Sequence, residues 1–174
     1  KEKSLSYRDI INQANKTHVT HILCVSTRFE DLETLKIINA QFENVSISLG
    51  LHPNEHDSGF NIEEILKLLE LNPQVIAIGE TGLDFYRHTV SMEEQKIRFR
   101  KQIQIARICK KPLIIHSRKA NDRLIKILKE ENAKEIGGVI HCFTENWHIA
   151  KQYLDLNFLI SFSGIITFKN TATL

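Results

Sequence analysis

The sequence predicts an α/β protein, a barrel of parallel β-strands wrapped in helices, of which this chain carries six strands. Three observations predict it. Strand-like and helix-like segments alternate along the whole of the 174 residues, and such alternation gives a parallel sheet covered by helices. The strand segments are mostly continuous apolar runs with little period-two alternation, the pattern of strands buried on both faces. Four consecutive strand runs end on His52, Glu80, His116 and His141. An open doubly wound sheet gathers ligands where its strand order reverses, whereas a barrel gathers them at the C-terminal ends of its strands.

The elements follow in order. A polar amphipathic stretch over residues 7–16 precedes a strand at 21–25, His21-Ile22-Leu23-Cys24-Val25. A helix at 30–42 leads to the run Val45-Ser46-Ile47-Ser48-Leu49-Gly50-Leu51, which closes on His52. Asn61 with Glu64 three residues on marks a capped helix reaching Leu71. The strand Val75-Ile76-Ala77-Ile78-Gly79 then runs into Glu80. Ser91 with Glu94 is a second capping-box pattern, opening a long helix to Lys110 that Pro112 punctuates. The strand from Pro112 closes on His116, a helix covers 121–131, and Gly138-Val139-Ile140 closes on His141. A helix at 147–156 and the strand Phe158-Leu159-Ile160-Ser161-Phe162 complete the pattern.

A complete (β/α)8 barrel of the TIM type needs about 250 residues. Six strands leave two unpaired edges. Residues 1–174 are therefore expected to form a single, incomplete barrel domain, the middle six strands of a longer protein, with edges able to pair with another chain. Composition is that of an ordinary globular protein, 42% hydrophobic and 25% charged, and a net charge of +2 sets up no strong field toward nucleic acid. No apolar stretch approaches the roughly 20 residues of a membrane span. Cys24, Cys109 and Cys142 show no paired spacing and read as reduced, buried residues of a cytoplasmic protein.

Glu80, His116 and His141 carry the chemistry. One carboxylate and two imidazoles suit Zn²⁺, Mn²⁺ or a similar divalent ion with positions left open for water. Such an ion lowers the pKa of its water and makes it a nucleophile. A single polar strand end can serve only a local hydrogen bond; three on neighbouring strands favour a shared centre, although no short motif fixes it.

Five motifs then occur in order: Gly50-Leu51-His52-Pro53, Gly79-Glu80-Thr81-Gly82-Leu83-Asp84-Phe85-Tyr86, His116-Ser117-Arg118-Lys119-Ala120, His141-Cys142-Phe143-Thr144 and Ser161-Phe162-Ser163-Gly164-Ile165-Ile166-Thr167-Phe168. Together with Glu93-Glu94-Gln95 they resemble the TatD family of metal-dependent deoxyribonucleases, within the amidohydrolase-like barrels. The resemblance implies that Glu80 joins the divalent ions, Mg²⁺, Mn²⁺ or Zn²⁺, while His116 and His141 hold one of them. It implies that His52 and Arg118 contact a scissile phosphate, and that the reaction is hydrolysis of DNA phosphodiesters from a 3′ end by metal-activated water. Family members also carry a His-x-His pair on the first strand and a Glu-Thr-Asp segment on the last, and this sequence contains neither. The chain alone is expected to hold a partial site with little or no nuclease activity, the activity belonging to the parent protein. Two rivals remain: a hydrolase of small esters, amides or lactones, and a non-catalytic remnant acting as a scaffold.

Other features carry less. The cations Lys96, Arg98, Arg100, Lys101, Arg107, Lys110 and Lys111 read as a solvated outer helix face. Glu145 replaces a glycine usual in the family and adds negative charge to the site rim. His56 and His148 read as surface residues, and His88 as a surface residue with a weak claim to substrate. Cys142 is expected to point away from His141 by strand alternation. Asp84, Tyr86 and Arg87 are expected to orient the Glu80 carboxylate.

Overall fold

The computed structural model describes residues 5–56, 59–87, 89–169 and 171. Among the described residues six helices alternate with six strands: α1 (Tyr7–Lys16), β1 (Ile22–Cys24), α2 (Leu32–Gln41), β2 (Val45–Leu49), α3 (Ile62–Leu71), β3 (Val75–Asp84), α4 (Met92–Cys109), β4 (Leu113–Arg118), α5 (Asn121–Glu130), β5 (Gly138–Ile140), α6 (Trp147–Asp155) and β6 (Phe158–Ile160). Short 3₁₀ turns occupy Phe29–Asp31, Ala133–Glu135 and Gly164–Thr167. The strands form one sheet in chain order, every neighbouring pair parallel. An order without reversal is that of a barrel wall, and six strands make a half-barrel.

The core lies between the sheet and its helices. Ile47, Leu49, Ile78, Leu113, Ile115 and Phe158 from the strands meet Phe99, Ile103, Leu124, Leu128 and Tyr153 from the helices, all fully buried or nearly so. Each large apolar side chain removed from water in this way contributes roughly 1.5–3 kcal/mol. The other face of the sheet differs from the expectation of strands covered on both sides. Leu23, Ile76 and Leu159 are exposed there and, with Ile114 and Val139, line an open apolar cleft of about 550 Å³. Six strands do not curl far enough to bury their own concave face.

The predicted caps are present in altered form. The Asn61 side chain accepts from Glu63 N–H at 3.0 Å, not from Glu64. Ser91 Oγ accepts from Glu94 N–H at 3.2 Å, but the Glu94 carboxylate turns to Arg98 and leaves the box open. Arg98 corrects the solvated-face reading of α4: it is buried, and Nη1 donates to Glu55 O at 2.7 Å. Most of the other cations on α4 find partners, Lys96 with Glu93, Arg100 with Glu130 and Glu131, and Arg107 with Glu135.

β3 departs most from its predicted form. It continues past Gly79 to Asp84, and its register slips by one residue against β2 and again against β4. Such bulges re-aim side chains, and they concentrate beside active sites. Two glycines permit the close approach to β4. A Cβ on Gly79 would lie 2.5 Å from Ile114 O, and one on Gly82 would lie 2.0 Å from His116 O. Both glycines also have positive φ, +149° and +138°, a region side chains of L-residues avoid.

Candidate metal centre

The bulge in β3 fixes the centre. Glu80 N–H donates to Ser26 O at 2.9 Å, and the Ser48 hydroxyl donates to Gly79 O at 2.6 Å. Ser26 and Ser48 are fully buried. Ser48 lies inside an otherwise apolar strand run and Ser26 just past the end of one, and sequence reasoning passed over both. With its backbone held, the Glu80 carboxylate faces the imidazoles of β4 and of the turn after β5. Nδ1 of His141 lies 2.9 Å and Nδ1 of His116 lies 3.4 Å from the same oxygen, Oε1 of Glu80.

His116 is held from its other side by Asp84, whose Oδ2 accepts from Nε2 at 3.1 Å. Asp84 is itself buried and anchored: Oδ1 accepts the Tyr86 and Arg87 N–H groups at 2.9 and 3.0 Å, and Oδ2 accepts Asn54 Nδ2 at 2.8 Å. Burial pushes its carboxyl up, but these donors and the nearby His116 outweigh it and hold the pKa below its ordinary value. This corrects the expectation that Asp84 orients Glu80: Asp84 orients His116. With Nε2–H committed to Asp84, a neutral His116 keeps its lone pair on Nδ1, toward Glu80. Two electron-rich atoms 3.4 Å apart leave a position that a cation fits.

His52 joins the cluster. One ligand-capable atom from each of His52, Glu80 and His116 lies within 4.8 Å of the others, and the His52 and His116 rings meet edge to face at 4.5 Å. Nδ1 of His52, however, accepts the Asn54 N–H at 3.2 Å. The neutral ring then carries its proton on Nε2 and acts there as a hydrogen-bond donor. Burial, then the charge of His116, lowers the His52 pKa to about 4, so the ring is neutral at physiological pH. Burial also opposes ionisation of Glu80, yet the adjoining His116 and His141 imidazoles hold it well below the usual carboxylate range. The bond to Glu80 raises His141 against its own burial.

These residues line a cleft of about 540 Å³ together with Arg87, Ser117, Arg118, Cys142, Thr144 and Ile165. Arg118, exposed at the end of β4, lays its guanidinium 4.1 Å from the centre of the Tyr86 ring. Cys142 corrects the alternation argument: β5 has already ended at Ile140, φ is +50°, and the residue lines the cleft beside His141. Behind β4, the buried Tyr153 hydroxyl donates to Asn121 Oδ1 at 2.8 Å, the atom that also accepts from Ser117 at 2.8 Å. That network steadies the strand end carrying His116 and Arg118. His56 and His148 are exposed as expected, and His88 lies outside the described residues.

A carboxylate and imidazoles converging at the C-terminal ends of parallel strands define a centre of the metal-dependent hydrolase class. The chain belongs to the family described as TatD related DNase, whose sequence profile matches residues 2–174. It is 47% identical over 167 residues to an uncharacterized metal-dependent hydrolase of Buchnera aphidicola subsp. Baizongia pistaciae, covering 94% of this chain and 62% of that one. It is 30% identical over 162 residues to a protein of Klebsiella pneumoniae named 3'-5' ssDNA/RNA exonuclease TatD, covering 92% of this chain and 62% of that one. The crystal structure of YjjV, a TatD homologue from Escherichia coli, superposes with a TM-score of 0.82 at 28% identity, covering 90% of this chain and 61% of that one. The chain thus spans less than two thirds of the length of these relatives.

Proposed function

We propose that this chain supplies half of a two-ion centre in a hydrolase that cleaves nucleic-acid phosphodiesters, DNA foremost, from a 3′ end. The observation that carries the reading is the convergence of the His116 and His141 Nδ1 atoms on one oxygen of Glu80. Glu80, His116 and His141 are the residues that would hold a divalent cation, Mg²⁺, Mn²⁺ or Zn²⁺. When bound, the cation supplies an activated water and positive charge against the phosphate. His52 donates from Nε2 to a phosphate oxygen, and the Arg118 guanidinium, steadied by Tyr86, offers its remaining N–H groups to the same anion. Asp84 keeps His116 in the tautomer that leaves Nδ1 unprotonated. The name carried by the Klebsiella relative supports a nucleic-acid substrate. The sequence contains no His-x-His pair, so hydrolysis by the 174-residue chain is slow at best.

The test is calorimetric titration of Mn²⁺ and Zn²⁺ into the chain and into a His116→Ala, His141→Ala double variant, followed by incubation with a 3′-labelled oligonucleotide. Saturable binding that vanishes in the variant supports the centre. Equal binding by both proteins removes it. Turnover of esters or lactones with no release of 3′ nucleotides would replace the nuclease reading with a small-molecule hydrolase.

A further inference from the structure

A second cleft opens beside the metal centre, and nothing in the hydrolytic scheme uses it. It encloses about 620 Å³ where Phe85, Lys119, Asp122, Arg123, Lys126 and Glu145 meet. It adjoins the first cleft along the chain, because Arg118 and Thr144 line the one while Lys119 and Glu145 line the other. Arg118, which lines the first cleft, stacks on Tyr86, whose chain neighbour Phe85 lines the second. Tyr86 is 59% exposed, and its hydroxyl makes no hydrogen bond among the described residues. Four arginines elsewhere are engaged: Arg28 with Asp31, Arg98 with Glu94, Arg100 with Glu130 and Arg107 with Glu135. Lys119 and Arg123, like Arg118, make no ion pair and no side-chain hydrogen bond among the described residues. Cations left unpaired in a groove, next to an exposed ring, fit a polyanion whose monomers carry flat faces.

We infer that Tyr86 and Arg118 form a stacking platform for the nucleobase next to the scissile phosphate, and that the strand continues past Lys119 and Arg123. The inference rests on the nucleic-acid reading above and extends it to a named strand path. A base reaches a side-chain ring only when splayed out of a duplex, so the platform selects single-stranded nucleic acid. Stacking tolerates any base, because every base offers a π-face. Lys119 and Arg123 neutralise backbone phosphates and give the interaction a salt dependence. Asp122 and Glu145, which also line the groove, repel a backbone that strays toward them and favour phosphates beside Lys119 and Arg123.

The experiment measures equilibrium binding of a fluorescent oligothymidylate, with Mn²⁺ present, to this chain and to Tyr86→Ala, Tyr86→Phe and a Lys119→Glu, Arg123→Glu double variant. The same measurements use an oligonucleotide of equal length in which the terminal nucleotides are abasic. Tyr86→Ala is expected to bind oligothymidylate about tenfold more weakly, with Tyr86→Phe close to the unaltered chain. With the abasic strand the unaltered chain loses a similar factor, and Tyr86→Ala adds no further loss. The double charge variant weakens both strands alike and flattens the dependence of affinity on salt. Binding by the unaltered chain that ignores both the Tyr86 substitution and the abasic change overturns the platform while leaving the nuclease reading intact. Absence of any oligonucleotide binding by the unaltered chain overturns both. Circular dichroism of each variant separates loss of the fold from loss of contact, and a fully folded Tyr86→Ala with unchanged affinity decides against the platform.

Discussion

His116 and Asp84 are joined by a 3.1 Å hydrogen bond, from Nε2 to a carboxylate with four donors around it. The bond reaches from the end of β3 to β4, the next strand of the sheet. It decides which nitrogen of His116 is free for a cation, and it does so from outside the cluster of candidate ligands.

Asp84→Asn weakens that control, because the amide can present N–H where the imidazole needs an acceptor. Metal affinity is expected to fall about 10- to 100-fold, the usual consequence of losing a carboxylate behind a ligating histidine. Titration of Zn²⁺ into the variant measures it. An unchanged affinity would show that Asp84 serves only the loop at Tyr86 and Arg87.

His52 and His116 separate in the same assay. His52→Ala is expected to leave metal affinity within about twofold, since its Nδ1 is taken by Asn54 and its Nε2 carries the proton. Its loss appears instead as weaker binding of a phosphodiester. A collapse of metal affinity in His52→Ala would make it a ligand.

Metal binding is also expected to follow pH through His141. Its pKa lies above the ordinary 6.5 because it donates to Glu80. A cation needs the nitrogen lone pair, so binding expels the proton. Affinity therefore falls as pH drops through the raised pKa and is regained above it. His52, neutral down to about pH 4, adds nothing to this change. Calorimetry at pH 7 in buffers of different ionisation enthalpy reads the released proton, and a buffer-independent heat contradicts the scheme.

Two buried glutamines on α4 substitute for missing strand partners. Gln95 accepts from Asp84 N–H at 2.8 Å and donates to Asp84 O at 3.0 Å; Gln102 does the same with Leu51 at 2.8 and 3.0 Å. Gln95→Leu strands two backbone groups of Asp84 without partners, at about 1–3 kcal/mol each. Urea unfolding should show a loss of several kcal/mol, with metal affinity reduced as Asp84 loosens. Gln102→Leu should destabilise by a similar amount and spare the metal site more.

Arg98 and Arg107 sit on the same helix and differ in burial. Arg98→Ala removes bonds to Glu55 O and Glu94 from a buried site, at an expected cost of about 2–3 kcal/mol. Arg107→Ala removes only a surface pair with Glu135 and is expected to change stability by less than about 0.5 kcal/mol. Equal effects would contradict the inward placement of Arg98.

Local pattern was enough to read the alternation of helices and strands, the parallel sheet, and the succession of His52, Glu80, His116 and His141 on or just past neighbouring strands, although β3 runs on through Glu80 to Asp84 and β4 through His116 to Arg118. Each rests on side-chain periodicity or on the residue that closes an apolar run, and both are properties of a short stretch of chain. Relations between strands were not legible. The bulges that aim Glu80 depend on how near β3 comes to β4, which Gly79 and Gly82 permit but do not announce. The assignment of Asp84 to His116, the turn of Cys142 into the cleft and the burial of Arg98 against Glu55 all depend on partners at least ten residues away or on where a strand stops. A one-dimensional pattern tells which residues can be inside. Register between neighbouring strands, set by backbone contact in three dimensions, settles what each of them faces.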